Sequence, residues 1–188
     1  VLTYPRTDSR ALPEDYLATV RNTFASLADH DLPGPLRELS GHARKALNDG
    51  YVKPSKRVFD NAKVSDHFAI IPTLETPKSL TDIEAKLYDL VVKRFIAVFY
   101  PPAEYLVTSR VSTVQVGETT HRFQTQGKVL VNPGWLAVYG REAQDEDANL
   151  VPVKSGELVR AESVEAKGLQ TRPPARYTEA TLLSAMEG

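Results

Sequence analysis

Apolar residues at positions 16, 20, 24 and 27 (Tyr16, Val20, Phe24, Leu27) recur at spacings of four and three, the mark of one helical face. The pattern predicts a helix starting near Pro13, a residue suited to the first helical position. Glu14 and Asp15 then favour its N-terminus. Pro33-Gly34-Pro35 should stop it. A second, weaker helical pattern runs from about Leu36 to Leu47 and ends at Asn48-Asp49-Gly50. Residues 51–80 are less periodic and hold a short apolar stretch, Phe68-Ala69-Ile70-Ile71, closed by Pro72. Thr81-Asp82-Ile83-Glu84 has the form of a capping box, in which the threonine hydroxyl and the glutamate carboxylate each take a free backbone N–H. Ile83, Leu87, Leu90, Val91 and Val98 then trace a long amphipathic helix that Pro101-Pro102 ends.

The period changes after Ala103. Val- and Thr-rich runs predict strands at Tyr105–Val116, Thr119–Thr125, Val129–Val131, Trp135–Tyr139, Leu150–Val153 and Glu157–Ala166. Asn132-Pro133-Gly134 and Ser155-Gly156 read as turns, and Gln144 to Asn149 as an acidic, polar loop. After Arg172-Pro173-Pro174 a helix restarts at about Thr178. The expected class is α+β: a helical part, a small antiparallel β unit of five or six strands, then the opening of a third element.

Composition narrows the function classes. Of 188 residues, 41% are hydrophobic, enough for a core, so a disordered tail is excluded. Twenty-three Lys and Arg against 24 Asp and Glu give a net charge of −1, which excludes a globally basic polyanion binder but leaves room for a local basic groove. With no cysteine there is no disulfide, thiolate metal site or thiol nucleophile. No apolar run reaches the ~18 residues of a membrane span, so a soluble, cytoplasmic protein is expected. The chain opens on Val1-Leu2-Thr3 and closes on Met186-Glu187-Gly188 just after a helix has begun, and so reads as a piece of a longer protein.

Three stretches concentrate chemistry. Thr3-Tyr4-Pro5-Arg6-Thr7-Asp8-Ser9-Arg10 places a phenol, two guanidiniums, a carboxylate and three hydroxyls ahead of the first helix. A tyrosine with a pKa near 10 is about one part in a thousand ionised at pH 7, so its phenolate costs roughly 4 kcal/mol. A nearby Arg6 lowers that cost and stabilises charge on a phosphoryl centre. The same residues also suit a solvated turn supporting the following helix. Asp66-His67-Phe68-Ala69-Ile70-Ile71-Pro72-Thr73 sets a histidine before an apolar segment, fit for proton transfer, for phosphate contact or for simple pairing with Asp66. Arg172-Pro173-Pro174-Ala175-Arg176-Tyr177-Thr178-Glu179 is a phosphate-seeking linker or a stiff connector. Gly127-Lys128 is no P-loop, because Arg122 and Val129 occupy positions the motif needs for Gly and Ser/Thr. The four histidines show no metal-ligand spacing, and Asp145-Glu146-Asp147 reads as a solvated acidic turn. Tyr100, Tyr105, Phe123, Trp135 and Tyr139 serve either as core and cross-strand residues or as base-stacking platforms.

Taken in order, these stretches resemble a family. Thr3-Tyr4-Pro5-Arg6-Thr7-Asp8-Ser9 looks like the nucleophile segment of type IA DNA topoisomerases, in the form of the bacterial topoisomerase III branch. His67-Phe68-Ala69-Ile70-Ile71-Pro72-Thr73 resembles the family's histidine motif, and Pro173-Pro174-Ala175-Arg176-Tyr177-Thr178-Glu179-Ala180 its segment re-entering the enzyme body. The resemblance implies Tyr4, Arg6, Asp8 and His67 as catalytic residues, with Thr7, Arg10 and Arg176 on DNA. It implies a 5′-phosphotyrosyl link to single-stranded DNA, strand passage and resealing, without ATP. It implies a winged-helix-like tyrosine domain over residues 1–100, a β-rich, barrel-like arch over 101–172, and a return segment over 173–188. The family's Mg²⁺ site would lie in a Toprim domain outside this chain. That domain and the rest of the enzyme body would be its partners, in a cytoplasmic, nucleoid-associated enzyme, and the 188-residue piece alone would fold without strand-passage activity. Two other readings compete: a non-catalytic nucleic-acid-binding module, and another tyrosine nucleophile such as a recombinase or rolling-circle initiator, whose Arg/His set or paired-histidine motif is not visible here.

Overall fold

A computed structural model describes residues 1–29, 37–75, 77, 79–140, 150 and 153–187. The chain forms two compact units, Val1–Leu150 and Val151–Gly188. In the first, helices α1 (Leu17–Asp29), α2 (Arg37–Asn48) and α3 (Asp82–Phe99) surround one core, and a long hairpin of β1 (Glu104–Val116) and β2 (Thr119–Asn132) follows. The second carries α4 (Glu179–Glu187).

The first helical turn is 3₁₀, Glu14–Tyr16, with Pro13 in extended conformation one position ahead of it as the N-cap. α1 buries the face its spacing predicts: Val20, Phe24 and Leu27 are inside. Phe24 is fully buried, with its ring 4.9 Å from that of Phe95 and edge-on to Phe99 at 5.3 Å. Burying such a side chain contributes roughly 1.5–3 kcal/mol. The Pro33-Gly34-Pro35 stop lies outside the described residues. α2 ends as expected, and Gly50 takes a positive φ of 67° just beyond it, a conformation that costs a glycine little.

The capping box of α3 is formed. The Thr81 hydroxyl accepts from the Glu84 N–H, and the Glu84 carboxylate accepts from the Thr81 N–H at 2.8 Å. The Thr81 N–H and then its hydroxyl, both donating to the Glu84 carboxylate, hold it below the usual carboxylate range. The buried face, however, is Tyr88, Val92, Phe95, Ile96 and Phe99. Ile83, Leu87 and Leu90, expected to mark that face, are exposed. The helix carries two adjacent apolar stripes, and the one with the larger aromatic volume fills the space beside Phe24.

The β part departs further from expectation. Thr119–Thr125 and Val129–Val131 are one strand, paired antiparallel with β1 from Val116↔Thr119 at the turn to Glu104↔Asn132 at the base. Trp135–Tyr139 lies in a 3₁₀ helix, Gly134–Tyr139, that tucks Leu136 and Val138 inside. Glu157–Ala166 holds no strand, and the middle two residues of Leu150–Val153 lie outside the described residues. Among the described residues the sheet therefore has two strands, not five or six, and is not a closed barrel. Valine and threonine alternation signals extended chain, but pairing needs a partner edge, which sequence alone does not supply. The acidic loop Gln144 to Asn149 is outside the described residues. No described helix is long and apolar enough to cross a membrane.

Candidate functional site

The start of the chain, bent at Pro5, lies beside the segment that holds His67, and Leu12 beside Phe59. Leu2 pairs antiparallel with Pro72, and the Thr3 N–H donates to the Ile71 carbonyl at 2.9 Å. Farther along, the Ala69 N–H donates to Ala11 O, and Leu12 exchanges bonds with Val58 and Asp60. Extended chain turns successive side chains to opposite sides. Thr3, Thr7 and Ser9 are half-buried and Ala11 is buried, whereas Tyr4, Arg6, Asp8 and Arg10 are exposed. Hydroxyls fit the inward set because each can satisfy backbone groups that the irregular pairing leaves open.

Those hydroxyls are all bonded. The Thr3 hydroxyl donates to Ala69 O at 3.2 Å and accepts from the Ile71 N–H at 2.9 Å. The Thr7 hydroxyl donates to His67 O at 3.1 Å and accepts from the Ser9 N–H at 3.1 Å. The Ser9 hydroxyl donates to Lys63 O at 2.7 Å and accepts from the Ala11 N–H at 3.1 Å. Behind them, the Tyr16 and Phe68 rings meet at 4.8 Å and tie the histidine segment to the start of the first helix.

On the outward side, the Tyr4 ring lies against the His67 imidazole, with centroids 4.5 Å apart and planes tilted by 43°. Tyr4 is 53% exposed. The structure thus brings together two of the three stretches singled out in the sequence. Among the described residues Arg6, Asp8 and Arg10 form no ion pair, which leaves their charges available to a ligand. Arg176 is exposed and belongs to the second unit.

Other cations are engaged. Lys56 pairs with Glu14 at 2.6 Å, and the Arg57 guanidinium donates to Val98 O at 2.6 Å. Arg44 donates to Ala28 O near the end of α1, and Arg21 to Val52 O. Two of the five residues that a basic DNA-binding face would need from the first unit (Arg6, Arg10, Lys53, Lys56, Arg57) are therefore already bonded within the protein. Of the aromatic candidates for stacking, Tyr100 is buried, Phe123 is exposed, and Tyr105 lies beneath the Lys128 ammonium at 3.7 Å. Trp135 and Tyr139 pack edge-on against each other at 5.8 Å. Among the described residues, no three His, Asp or Glu side chains gather as a metal site requires.

From the sequence Thr3 carries no expected role, and Ser9 only that of supporting the following helix in a solvated turn. For Ser9 the signal is the alternation of hydroxyl and charged residues along positions 6–10, which marks one side as protein-facing; no such signal marks Thr3.

The sequence model of the DNA topoisomerase family matches residues 1–188. DNA topoisomerase 3 of Bacillus licheniformis is 40% identical over 195 residues, covering 100% of this chain and 25% of that protein. DNA topoisomerase 3 of Bacillus cereus is 40% identical over 197 residues, and that of Bacillus subtilis 38% over 195, with the same coverage. The chain spans about a quarter of the length of these relatives.

Proposed function

Because this chain belongs to the DNA topoisomerase family, we propose that it carries the nucleophile of a type IA enzyme that changes DNA topology one strand at a time. The Tyr4 oxygen attacks a backbone phosphorus of single-stranded DNA in line with the departing 3′ oxygen. A P–O bond to Tyr4 forms, the P–O3′ bond breaks, the phenol gives up its proton, and the 3′ oxygen gains one. The products are a 5′-phosphotyrosyl link and a 3′-hydroxyl. After a second strand passes, that hydroxyl attacks the same phosphorus and Tyr4 leaves. Each step exchanges one phosphate ester for another, so resealing needs no ATP.

Arg6 offers the guanidinium fork that matches a phosphate and stabilises its developing charge. His67, in contact with the Tyr4 ring, contacts the phosphate or carries the proton. Asp8 is the acid of the same exposed face, and Arg10 and Arg176 hold DNA. Mg²⁺, bound in another part of the longer protein, supplies charge neutralisation at the DNA phosphates. Residues of this chain are not assigned to it, since the described ones offer no cluster of ligands. Residues 1–100 read as most of a winged-helix-like tyrosine domain, 101–172 as an arch to which the β1–β2 hairpin contributes, and 173–188 as the segment returning to the enzyme body. The rest of that enzyme is the chain's partner, and its compartment the cytoplasm.

The observation that carries this reading is the stacking of Tyr4 on His67, residues from two separate motifs. Its test uses the full-length protein containing this chain, incubated with a single-stranded oligonucleotide and Mg²⁺, quenched with denaturant, digested and mapped by mass spectrometry. A nucleotide adduct on Tyr4 through a 5′-phosphate is expected. Tyr4→Phe should abolish it while changing DNA affinity by no more than about fivefold, the worth of one hydrogen bond. DNA binding without any adduct would make the chain a non-catalytic nucleic-acid-binding module instead.

A further inference from the structure

We infer that Thr3 and Thr7 are positioning residues, whose hydroxyls hold Tyr4 and His67 against each other from the protein side, and that Thr7 does not contact DNA. The inference deepens the proposed function, on which its catalytic consequence rests. A threonine hydroxyl has one proton and two lone pairs. Phosphate oxygens of DNA accept hydrogen bonds, so a hydroxyl must donate to meet one. The single proton of Thr7 is committed to the carbonyl of His67 itself at 3.1 Å, and one lone pair takes the Ser9 N–H. Reaching a phosphate would release His67.

Thr3 does the matching work on the other side of the pair. Its hydroxyl bridges Ala69 O and the Ile71 N–H, and its own N–H bonds Ile71 O, so the residue preceding Tyr4 is fixed at three points. The two anchors therefore grip the residue next to Tyr4 and His67 directly, and the rings between them meet at 4.5 Å. Ser9 stiffens the remainder through Lys63 O and the Ala11 N–H. An exposed, irregular strand has little else to fix a nucleophile, and a misplacement of about 1 Å can cost a reaction roughly 100-fold.

The decisive experiment separates binding from chemistry in the full-length protein. Thr7→Val keeps the shape and removes the hydroxyl; Thr7→Ser restores it. With a single-stranded oligonucleotide, Thr7→Val should slow Tyr4 adduct formation at saturating DNA by about 10–100-fold. The affinity should be unchanged, and Thr7→Ser should recover most of the rate. Weakened affinity with an intact saturating rate would make Thr7 a DNA contact and overturn the inference.

A spectroscopic arm does not depend on catalysis. In the 188-residue chain labelled with ¹³C-histidine, the Tyr4 ring should shift the His67 imidazole protons, and Tyr4→Leu gives the size of that shift. Thr3→Val and Thr7→Val should reduce it, and the serine variants should keep it. Unmoved His67 signals in both valine variants would refute the clamp. The His42 signals, from α2, report that each variant is folded. If Thr3→Val does not fold, the Thr7 pair, on an exposed hydrogen bond, decides alone. A wild-type enzyme that forms no adduct would defeat the topoisomerase reading and leave the clamp to be judged by the spectra.

Discussion

Gly134 sits where the hairpin returns to the end of α3, and a single methyl group there tests how closely the two are joined. Its φ is +49°, its N–H donates to the Asn132 side chain, and the next N–H, of Trp135, donates to Pro101 O at 3.0 Å. A Cβ at this position would come within 2.5 Å of the Pro101 carbonyl oxygen and closer still to that of Pro102. Gly140, just beyond the same 3₁₀ helix, has a φ of +70°, but among the described residues nothing lies within 4 Å of where its Cβ would be. The two glycines therefore separate backbone strain from collision. Positive φ in an alanine costs roughly 1–2 kcal/mol. Forcing the Pro101–Pro102 backbone aside adds about 1–3 kcal/mol, as overpacking does elsewhere. Gly134→Ala should thus destabilise by about 2–5 kcal/mol and Gly140→Ala by about 1–2 kcal/mol. Urea unfolding, followed by circular dichroism and by the fluorescence of Trp135, the only tryptophan, measures both. Equal losses in the two variants would refute the close approach. So would a Gly134→Ala protein that unfolds like the wild type.

Two further predictions concern titration and capping. Thr81→Ala should cost about 0.5–2 kcal/mol through loss of the cap. It should also flatten the acid limb in part, because the depressed Glu84 pKa contributes stability above its unfolded value of 4.5 that is lost as pH falls through the lower folded value, and the variant loses the hydroxyl's share of that depression while keeping the larger one from the Thr81 N–H; an unchanged acid limb in chemical unfolding would count against the hydroxyl's part in the box. Burial lowers the pKa of His42 below 6.5, against the opposing field of Glu38 and with that of Lys45. The unfolded chain then takes up the proton first, so stability is full above about pH 6.5 and falls as pH drops below it. Tm measured from pH 7.5 to 5.5 should decline more steeply in the wild type than in His42→Gln, and parallel curves would exclude His42 as the source.

The proposed site could be put forward from the sequence because its chemistry is local in the chain. Tyr4, Arg6, Asp8 and Arg10 stand close together, and the family match covers the same motifs. What could not be read was the assignment of the hydroxyls. The family resemblance implies Thr7 as a DNA ligand. Only the placement of His67 O beside it shows where its proton goes. The same holds for Lys56 and Arg57, whose sequence positions give no sign that Glu14 and the Val98 carbonyl lie next to them.

By itself the sequence determined the elements whose cause lies within a few residues. The α1 face, the Thr81–Glu84 cap, the end of α2 and the start of α4 all depend on neighbours less than about one or two helical turns away. Only the tertiary structure decided which of two apolar stripes on α3 faces Phe24, that two predicted strands join into one, and that Trp135–Tyr139 coils rather than extends. It alone brought His67 to Tyr4. These outcomes depend on residues distant in the chain that compete for the same space and the same hydrogen-bond partners, and periodicity carries no information about which competitor wins.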